Sequence, residues 1–98
     1  MDMNLKGKTA IVSGGNKGLG AASAMALAAE GANLFLTARN ADDLKSVADE
    51  ITRTHGVKVG LLALDITEEN SGEKIVAAAL DKFDRIDILV NAAGAARG

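Results

Sequence analysis

The chain has 98 residues, 48% of them hydrophobic, and a formal net charge of −2 at pH 7. These values suit one small folded domain and give no general electrostatic attraction to nucleic acid or an anionic membrane. With no Cys and a single His, His55, disulfides, thiolate chemistry and an imidazole metal cluster are excluded. No apolar run approaches the roughly 18 residues of a membrane span, and the first residues lack the pattern of a signal peptide. We therefore expect a cytoplasmic protein.

Two kinds of apolar pattern alternate along the first half of the chain. Thr9 to Ser13 is a short apolar run directly followed by Gly14, which predicts a buried strand that enters a turn. The Ala-rich segment 18–30 stops at Gly31, which predicts a helix with a glycine end. The apolar run 34–37 predicts a second buried strand.

The second half of the chain repeats this alternation. Apolar residues spaced i, i+3, i+4, i+7 predict a surface helix that begins after a capping Asn40 and ends at Gly56; they are Leu44, Val47, Ala48 and Ile51. Segments 57–64 and 86–91 predict the third and fourth strands. Thr67 is expected to cap the helix between these strands. The expected core face of that helix consists of Val76, Ala79, Leu80 and Phe83.

The resulting order is βαβαβαβ, which belongs to the α/β class. Strand–helix–strand crossovers imply parallel strands, right-handed connections and helices on both faces of the sheet. The predicted strand order is 3-2-1-4, one half of a Rossmann fold plus the first strand of the other half. We expect residues 1–98 to form one truncated domain of this kind.

A glycine-rich segment lies between the first strand and the first helix. Glycines at 14, 18 and 20 allow the main chain to approach a pyrophosphate closely, and the helix N-terminus adds unpaired N–H donors. The alternative is a glycine-rich turn without a ligand, which the strand–turn–helix context disfavours. The candidate phosphate-binding residues are Ser13, Gly14, Asn16, Lys17, Gly18, Leu19 and Gly20.

The spacing GxxxGxG after Ser13 resembles the TGxxxGxG motif of the short-chain dehydrogenase/reductase family. Residues 5–12 are similar to that family's opening segment, and residues 87–94 are similar to its DILVNNAG motif, with Ala92 in place of the second Asn. The resemblance implies that Asp65 and Ile66 hold the adenine ring, although Asp65 could instead cap the turn that leads into the third helix. The same resemblance implies that a segment at the end of the fourth strand lines the cofactor; it comprises Asn91, Ala92, Ala93 and Gly94. For Asn91 the alternative is that it is only a turn residue at the end of the strand.

The residues after the second strand bear on the choice between NADP and NAD. An acidic residue there would accept the ribose 2′-hydroxyl and repel a 2′-phosphate, but this chain has Ala38 followed by Arg39. Arg39 offers a planar charged fork for a phosphate, and Lys17 supplies a second cation. Each could also be an ordinary surface charge. Together they favour NADP(H), with NAD the less favoured cofactor.

Members of the resembled family transfer hydride with a Ser, a Tyr and a Lys, and this chain contains no Tyr. We therefore expect no catalytic residue in it and no activity from it by itself. One interpretation is the N-terminal fragment of an NADP(H)-dependent oxidoreductase that acts on alcohols or ketones. The other is a free-standing nucleotide-binding or assembly module. A methyltransferase is disfavoured because its fold normally requires an acid at the end of the second strand.

The fourth strand is expected to have one unpaired edge and apolar side chains on both faces. Such an edge is a template for pairing with another chain. We expect self-association through this edge, or pairing with a missing C-terminal part.

Overall fold

The computed structural model of the protein describes residues 4–92. Within this range strands and helices alternate strictly, as the sequence predicted. The strands are β1 (Thr9–Ser13), β2 (Asn33–Ala38), β3 (Val59–Ala63) and β4 (Ile88–Asn91). The helices are α1 (Gly18–Ala29), α2 (Ala41–His55) and α3 (Ser71–Phe83).

The four strands form one parallel sheet in the order β3-β2-β1-β4. Ile11 at the centre of β1 lies opposite Phe35 of β2 on one side and Leu89 of β4 on the other. The partial Rossmann fold predicted from the alternation of elements is confirmed. Because parallel strands all point the same way, the carboxyl ends of β1, β2 and β3 meet at one edge of the sheet.

The two faces of the sheet carry separate apolar cores. Alternate residues of β1 and β2 project to opposite faces, so Ala10 and Val12 join a cluster with α1 and α2, whereas Ile11 and Phe35 join Ile75 and Ala79 of α3. Helices therefore cover both faces, as predicted, with α1 and α2 on one face and α3 on the other.

Small residues set the distance between α1 and the sheet. Gly20, Ala24 and Ala28 are its buried positions, spaced four residues apart along one side of the helix. This stripe lets the helix axis approach the strands closely. Between residues 4 and 92 no helix is long and apolar enough to cross a membrane.

Helix α2 begins and ends where its sequence signals predicted. The side chain of Asn40 accepts a hydrogen bond from the backbone N–H of Asp43 at 3.0 Å, which makes it the N-cap. Gly56 closes the helix in the left-handed conformation, with φ of 71°. Leu44, Ala48 and Ile51 are its buried residues.

Helix α3 differs from its prediction at the start and along its core face. Thr67 is not the cap, because the helix begins only at Ser71 and Asn70 occupies the N-cap position; the Thr67 N–H and hydroxyl instead donate to the Asp65 carboxylate. The residues facing the sheet are Ile75 and Ala79, and Phe83 packs against the same cluster, so two of the four predicted residues are confirmed. Two apolar stripes with four-residue spacing lie side by side on this helix, and the expected core face combined parts of both. The residues of the second stripe, Val76 and Leu80, are 44% and 41% exposed.

The start of β4 is fixed by a carboxylate clamp at the amino end of the sheet. The Asp87 carboxylate accepts from the N–H of Thr9 at 2.9 Å and from the guanidinium of Arg85 at 2.8 and 2.7 Å. The Asp87 N–H donates in return to the Thr9 carbonyl. The Arg85 and Thr9 hydrogen bonds lower the pKa of the Asp87 carboxyl from 3.8 to about 2. The clamp thus joins the α3–β4 connection to β1, and β4 begins at Ile88 rather than at the predicted residue 86.

We expect Asp87→Asn to lower the thermal unfolding midpoint, because the neutral amide loses the charge-assisted bonds to Arg85. The folded-state pKa is depressed, so this stabilisation is present above the ordinary value of 3.8 and is lost as the pH falls toward about 2. Circular dichroism melts across this pH range would measure the difference between variant and wild type. Asp81→Asn, at an exposed position of α3, is the control. A difference that does not shrink toward low pH would contradict the clamp.

Candidate functional site

A large cleft opens at the carboxyl edge of the sheet, where the β1–α1, β2–α2 and β3–α3 connections meet. Its volume is about 1280 Å³, above the roughly 300–1,000 Å³ of common small-molecule pockets. Ten of the residues predicted for the site line this cleft: Gly14, Asn16, Lys17, Gly18, Leu19, Gly20, Arg39, Asp65, Ile66 and Ala92. The structure therefore brings together residues that are far apart in sequence.

The glycine-rich loop is anchored on the end of β2. The N–H groups of Gly14 and Gly15 both donate to the carbonyl of Thr37, at 2.8 and 3.2 Å. Gly14 has φ of 76°, in the left-handed region that favours glycine. The loop therefore turns directly over the strand that leads to Arg39.

Gly20 is required by the close approach of α1 to this loop. A Cβ atom on Gly20 would overlap the backbone carbonyl of Gly14 and lie 3.1 Å from the Cα of Gly15. The obstacles are main-chain atoms, so no side-chain rotation could relieve the overlap. The last glycine of the motif thus sets how closely the helix N-terminus packs against the loop.

The helices that border the cleft, α1 and α2, differ in whether side chains accept hydrogen bonds from the first backbone N–H groups of the helix. Among the described residues, no side chain caps the N-terminus of α1 and no acid occupies its first turn. Helix α2 has Asn40 as its cap and two acids in its first turn, Asp42 and Asp43. The exposed N–H groups and partial positive charge of α1 therefore face the cleft without a protein anion of their own.

Two cations lie in the cleft with different partners. The Lys17 ammonium is 3.9 Å from the Asp43 carboxylate, and the Asn16 amide donates to that same carboxylate at 3.4 Å. Within residues 4–92 the Arg39 guanidinium has no hydrogen-bond or ion-pair partner, and Arg39 is exposed. Lys17 is thus already paired, whereas Arg39 is available to an anion.

At the third connection, Asp65 forms a tight turn. Its carboxylate accepts from the N–H of Thr67 at 2.9 Å and from the hydroxyl of Thr67 at 2.7 Å. Asp65 thus shapes the turn after β3 while it lines the cleft, although it does not cap α3. Ile66 beside it is 39% exposed, so an apolar side chain borders the cleft here.

The remaining predicted residues lie at the ends of β1 and β4. Ser13 is buried and accepts a hydrogen bond from the N–H of Ala92 through its carbonyl at 3.0 Å. Ser13 and Asn91 do not line the main cleft, but border a smaller apolar groove between α3 and β4. Ala93 and Gly94 lie outside the described residues.

Several residues that line the cleft were not among the predicted site residues, although Ala38 was already placed at the position that bears on cofactor choice. They lie at the carboxyl end of β2, after β3 or at the start of α2, and such positions meet at the carboxyl edge of any parallel sheet. That rule could have found most of them. They are Thr37, Ala38, Asn40, Ala41, Asp43, Leu64 and Thr67. No group of three or more potential metal-ligating side chains occurs between residues 4 and 92.

The sheet order, the glycine loop and the cleft at the carboxyl edge define an α/β protein of the Rossmann type. The family model described as short chain dehydrogenase matches residues 8–98. The chain therefore belongs to the short-chain dehydrogenase family.

Relatives in this family are considerably longer than the chain. It is 48% identical over 91 residues to the uncharacterized oxidoreductase YgcW of Escherichia coli, a match that covers 93% of this chain and 34% of that protein. It is 44% identical to a 12alpha-hydroxysteroid dehydrogenase of a Clostridium species, covering 91% of this chain and 37% of the relative. The chain thus spans about a third of the length of the curated relatives it matches.

Solved structures show the same fold with bound cofactors. L-sorbose reductase from Gluconobacter frateurii, complexed with NADPH and L-sorbose, superposes with a TM-score of 0.86 at 35% identity and covers 91% of this chain and 34% of its own. An alcohol dehydrogenase from Thermococcus sibiricus, complexed with 5-hydroxy-NADP, has a TM-score of 0.80 at 35% identity over 84% of this chain and 35% of its own. Both contain nicotinamide dinucleotides phosphorylated at the 2′ position or their derivatives.

Proposed function

We propose that the chain is the cofactor-binding N-terminal part of an NADP(H)-dependent short-chain dehydrogenase/reductase that interconverts alcohols and ketones. The observation that carries this proposal is the convergence of the glycine loop, Lys17 and the unpartnered Arg39 in one cleft. The cofactor would supply the hydride that the reaction transfers. The residues described here would bind and orient it, and none of them is assigned a catalytic role.

The pyrophosphate would lie against the N-terminus of α1. The lack of a side-chain cap there and the close contact of Gly20 with the loop backbone both suit an anion that approaches the main chain. Asn16, Gly18 and Leu19 border the same part of the cleft. A phosphate would take the place that a capping side chain occupies at α2.

The adenosine end would lie between the ends of β2 and β3. Ala38 leaves room and carries no charge, whereas Arg39 can donate a forked pair of hydrogen bonds to a 2′-phosphate. Asp65 and Ile66 would border the adenine ring from the third connection. At the other end of the cleft, Ala92 would border the nicotinamide half of the cofactor.

We expect Arg39→Gln to weaken NADPH binding by roughly tenfold or more, the value of a lost charge-assisted hydrogen bond. NADH binding should change by less than about twofold, because NADH has no 2′-phosphate. Calorimetric titration of the purified chain with each cofactor would measure both effects. Arg53→Gln, which neutralises an arginine in the last turn of α2 outside the cleft, is the matched control. Equal losses for both cofactors, or no binding of either to the wild type, would contradict the proposal.

We further propose that the free edge of β4 associates with another strand, from a second copy or from a later part of the same polypeptide. Leu89 is 69% exposed and shares the α3 face of the sheet with Ile11, its neighbour in register. The groove beside it is largely apolar and includes Val76 and Ile86. A contiguous apolar surface next to an unpaired strand favours association.

We expect the sedimentation coefficient of the wild-type chain to rise with concentration, and Leu89→Lys to weaken this association by roughly tenfold because a charge on the edge opposes pairing. Leu61→Lys is the control, since Leu61 is an exposed leucine on β3 at the opposite edge of the sheet. A wild-type chain that stays a monodisperse monomer with low binding of a hydrophobic dye would refute self-association. Equal effects of the two substitutions would indicate that the association does not occur through β4.

A further inference from the structure

The first turn of α2 projects one carboxylate into the cleft. Asp43 lines the cleft together with Ala38 and Arg39, and its backbone is held by the N-cap Asn40. Its Oδ2 atom faces the β1–α1 loop, 3.9 Å from the Lys17 ammonium and 3.4 Å from the Asn16 amide nitrogen. The Asp43 side chain is 38% exposed, so the carboxylate remains accessible from the cleft.

This carboxylate opposes a 2′-phosphate in two ways. It lies 3.9 Å from the ammonium of Lys17, the second cation expected to attract the phosphate, and partly offsets the charge of that ammonium. It also places a negative charge in the same cleft as Arg39, where a phosphate dianion would be repelled by it. A ribose 2′-hydroxyl meets no such repulsion and can donate a hydrogen bond to a carboxylate.

We propose that Asp43 is a selectivity residue that narrows the preference of this cleft for NADP(H) over NAD(H). In Rossmann folds an acid at the end of the second strand normally accepts the ribose 2′-hydroxyl. Here that position is Ala38, and α2 supplies a carboxylate to the same cleft from five residues further along the chain. The inference rests on the proposed function, since it concerns the cofactor of that site.

The competing explanation is that Asp43 only stabilises α2. An acid in the first turn of a helix interacts favourably with the helix dipole, and this would hold whatever the cleft binds. Asp42 separates the two explanations. It occupies the same first turn with the same charge, but it is exposed and does not line the cleft.

The test compares two nucleotides that differ only in the 2′ group: adenosine 2′,5′-bisphosphate and adenosine 5′-monophosphate. Their dissociation constants would be measured for the wild-type chain and for Asp43→Asn, Asp42→Asn and Asp43→Glu. We expect Asp43→Asn to raise the preference for the bisphosphate by about threefold to fivefold, through tighter bisphosphate and weaker monophosphate binding. Asp42→Asn should leave the preference within about twofold of wild type, and Asp43→Glu should retain it because the carboxylate is kept.

The outcomes distinguish a failure of the proposed function from a failure of the role assigned to Asp43. If the wild-type chain binds neither nucleotide, the proposed function fails and the role of Asp43 fails with it. If the wild type prefers the bisphosphate but Asp43→Asn and Asp42→Asn behave alike, only the role of Asp43 is overturned. Thermal melts of each variant report the helix-stabilising effect separately. If Asp43→Asn fails to fold, Asp43→Ser removes the same charge with a residue tolerated in a first helical turn. The preference of Asp43→Ser for the bisphosphate over the monophosphate then tests the role of Asp43.

Discussion

The contact between Gly20 and the backbone of Gly14 is the constraint on which the site depends. It allows α1 to start directly against the loop that leaves β1, while the N–H groups of Gly14 and Gly15 fix that loop to the Thr37 carbonyl of β2. The helix N-terminus and the strand that leads to Arg39 are thereby held in one arrangement by main-chain atoms. A binding surface built from backbone contacts is preorganised, because little side-chain freedom remains to be lost on binding.

The charged side chains at the two ends of the sheet differ in the interactions they make. At the amino end, the Asp87 carboxylate joins β4 to β1 through Thr9 and Arg85, and its lowered pKa reflects those bonds. At the carboxyl end, charges are left in an open cleft: Arg39 has no partner within residues 4–92, and Lys17 shares Asp43 with Asn16. The charge-assisted bonds to the Asp87 carboxylate thus lie away from the surface expected to bind the cofactor, and at that surface Arg39 has no partner among the described residues.

Local signals predicted the fold and many of the residues that line the cleft, and interactions between distant residues account for most of the differences. The cap Asn40 and the stop Gly56 were identified because their effects lie within four residues. The Thr67 cap was wrong because residues 66–70 form turns before α3 begins at Ser71, which is too far along the chain for Thr67 to cap it. The core face of α3 was partly wrong because Ile75 and Val76 head adjacent apolar stripes. The contact of Asn16 with Asp43 spans 27 residues. No periodicity or motif encodes it, because it depends on how two connections meet at the edge of the sheet.

The central claim, that the cleft at the carboxyl edge of the sheet binds a nicotinamide dinucleotide, is tested most directly by following the backbone amide resonances of the ¹⁵N-labelled chain during titration with NADPH. We expect saturable shifts confined to the glycine loop, to residues 37–43, to residues 64–67 and to Ala92, the segments that line the cleft. The amides of α3 after its first turn should remain unchanged. An absence of saturable shifts, or shifts concentrated on α3 and the β4 edge, would contradict binding at this cleft.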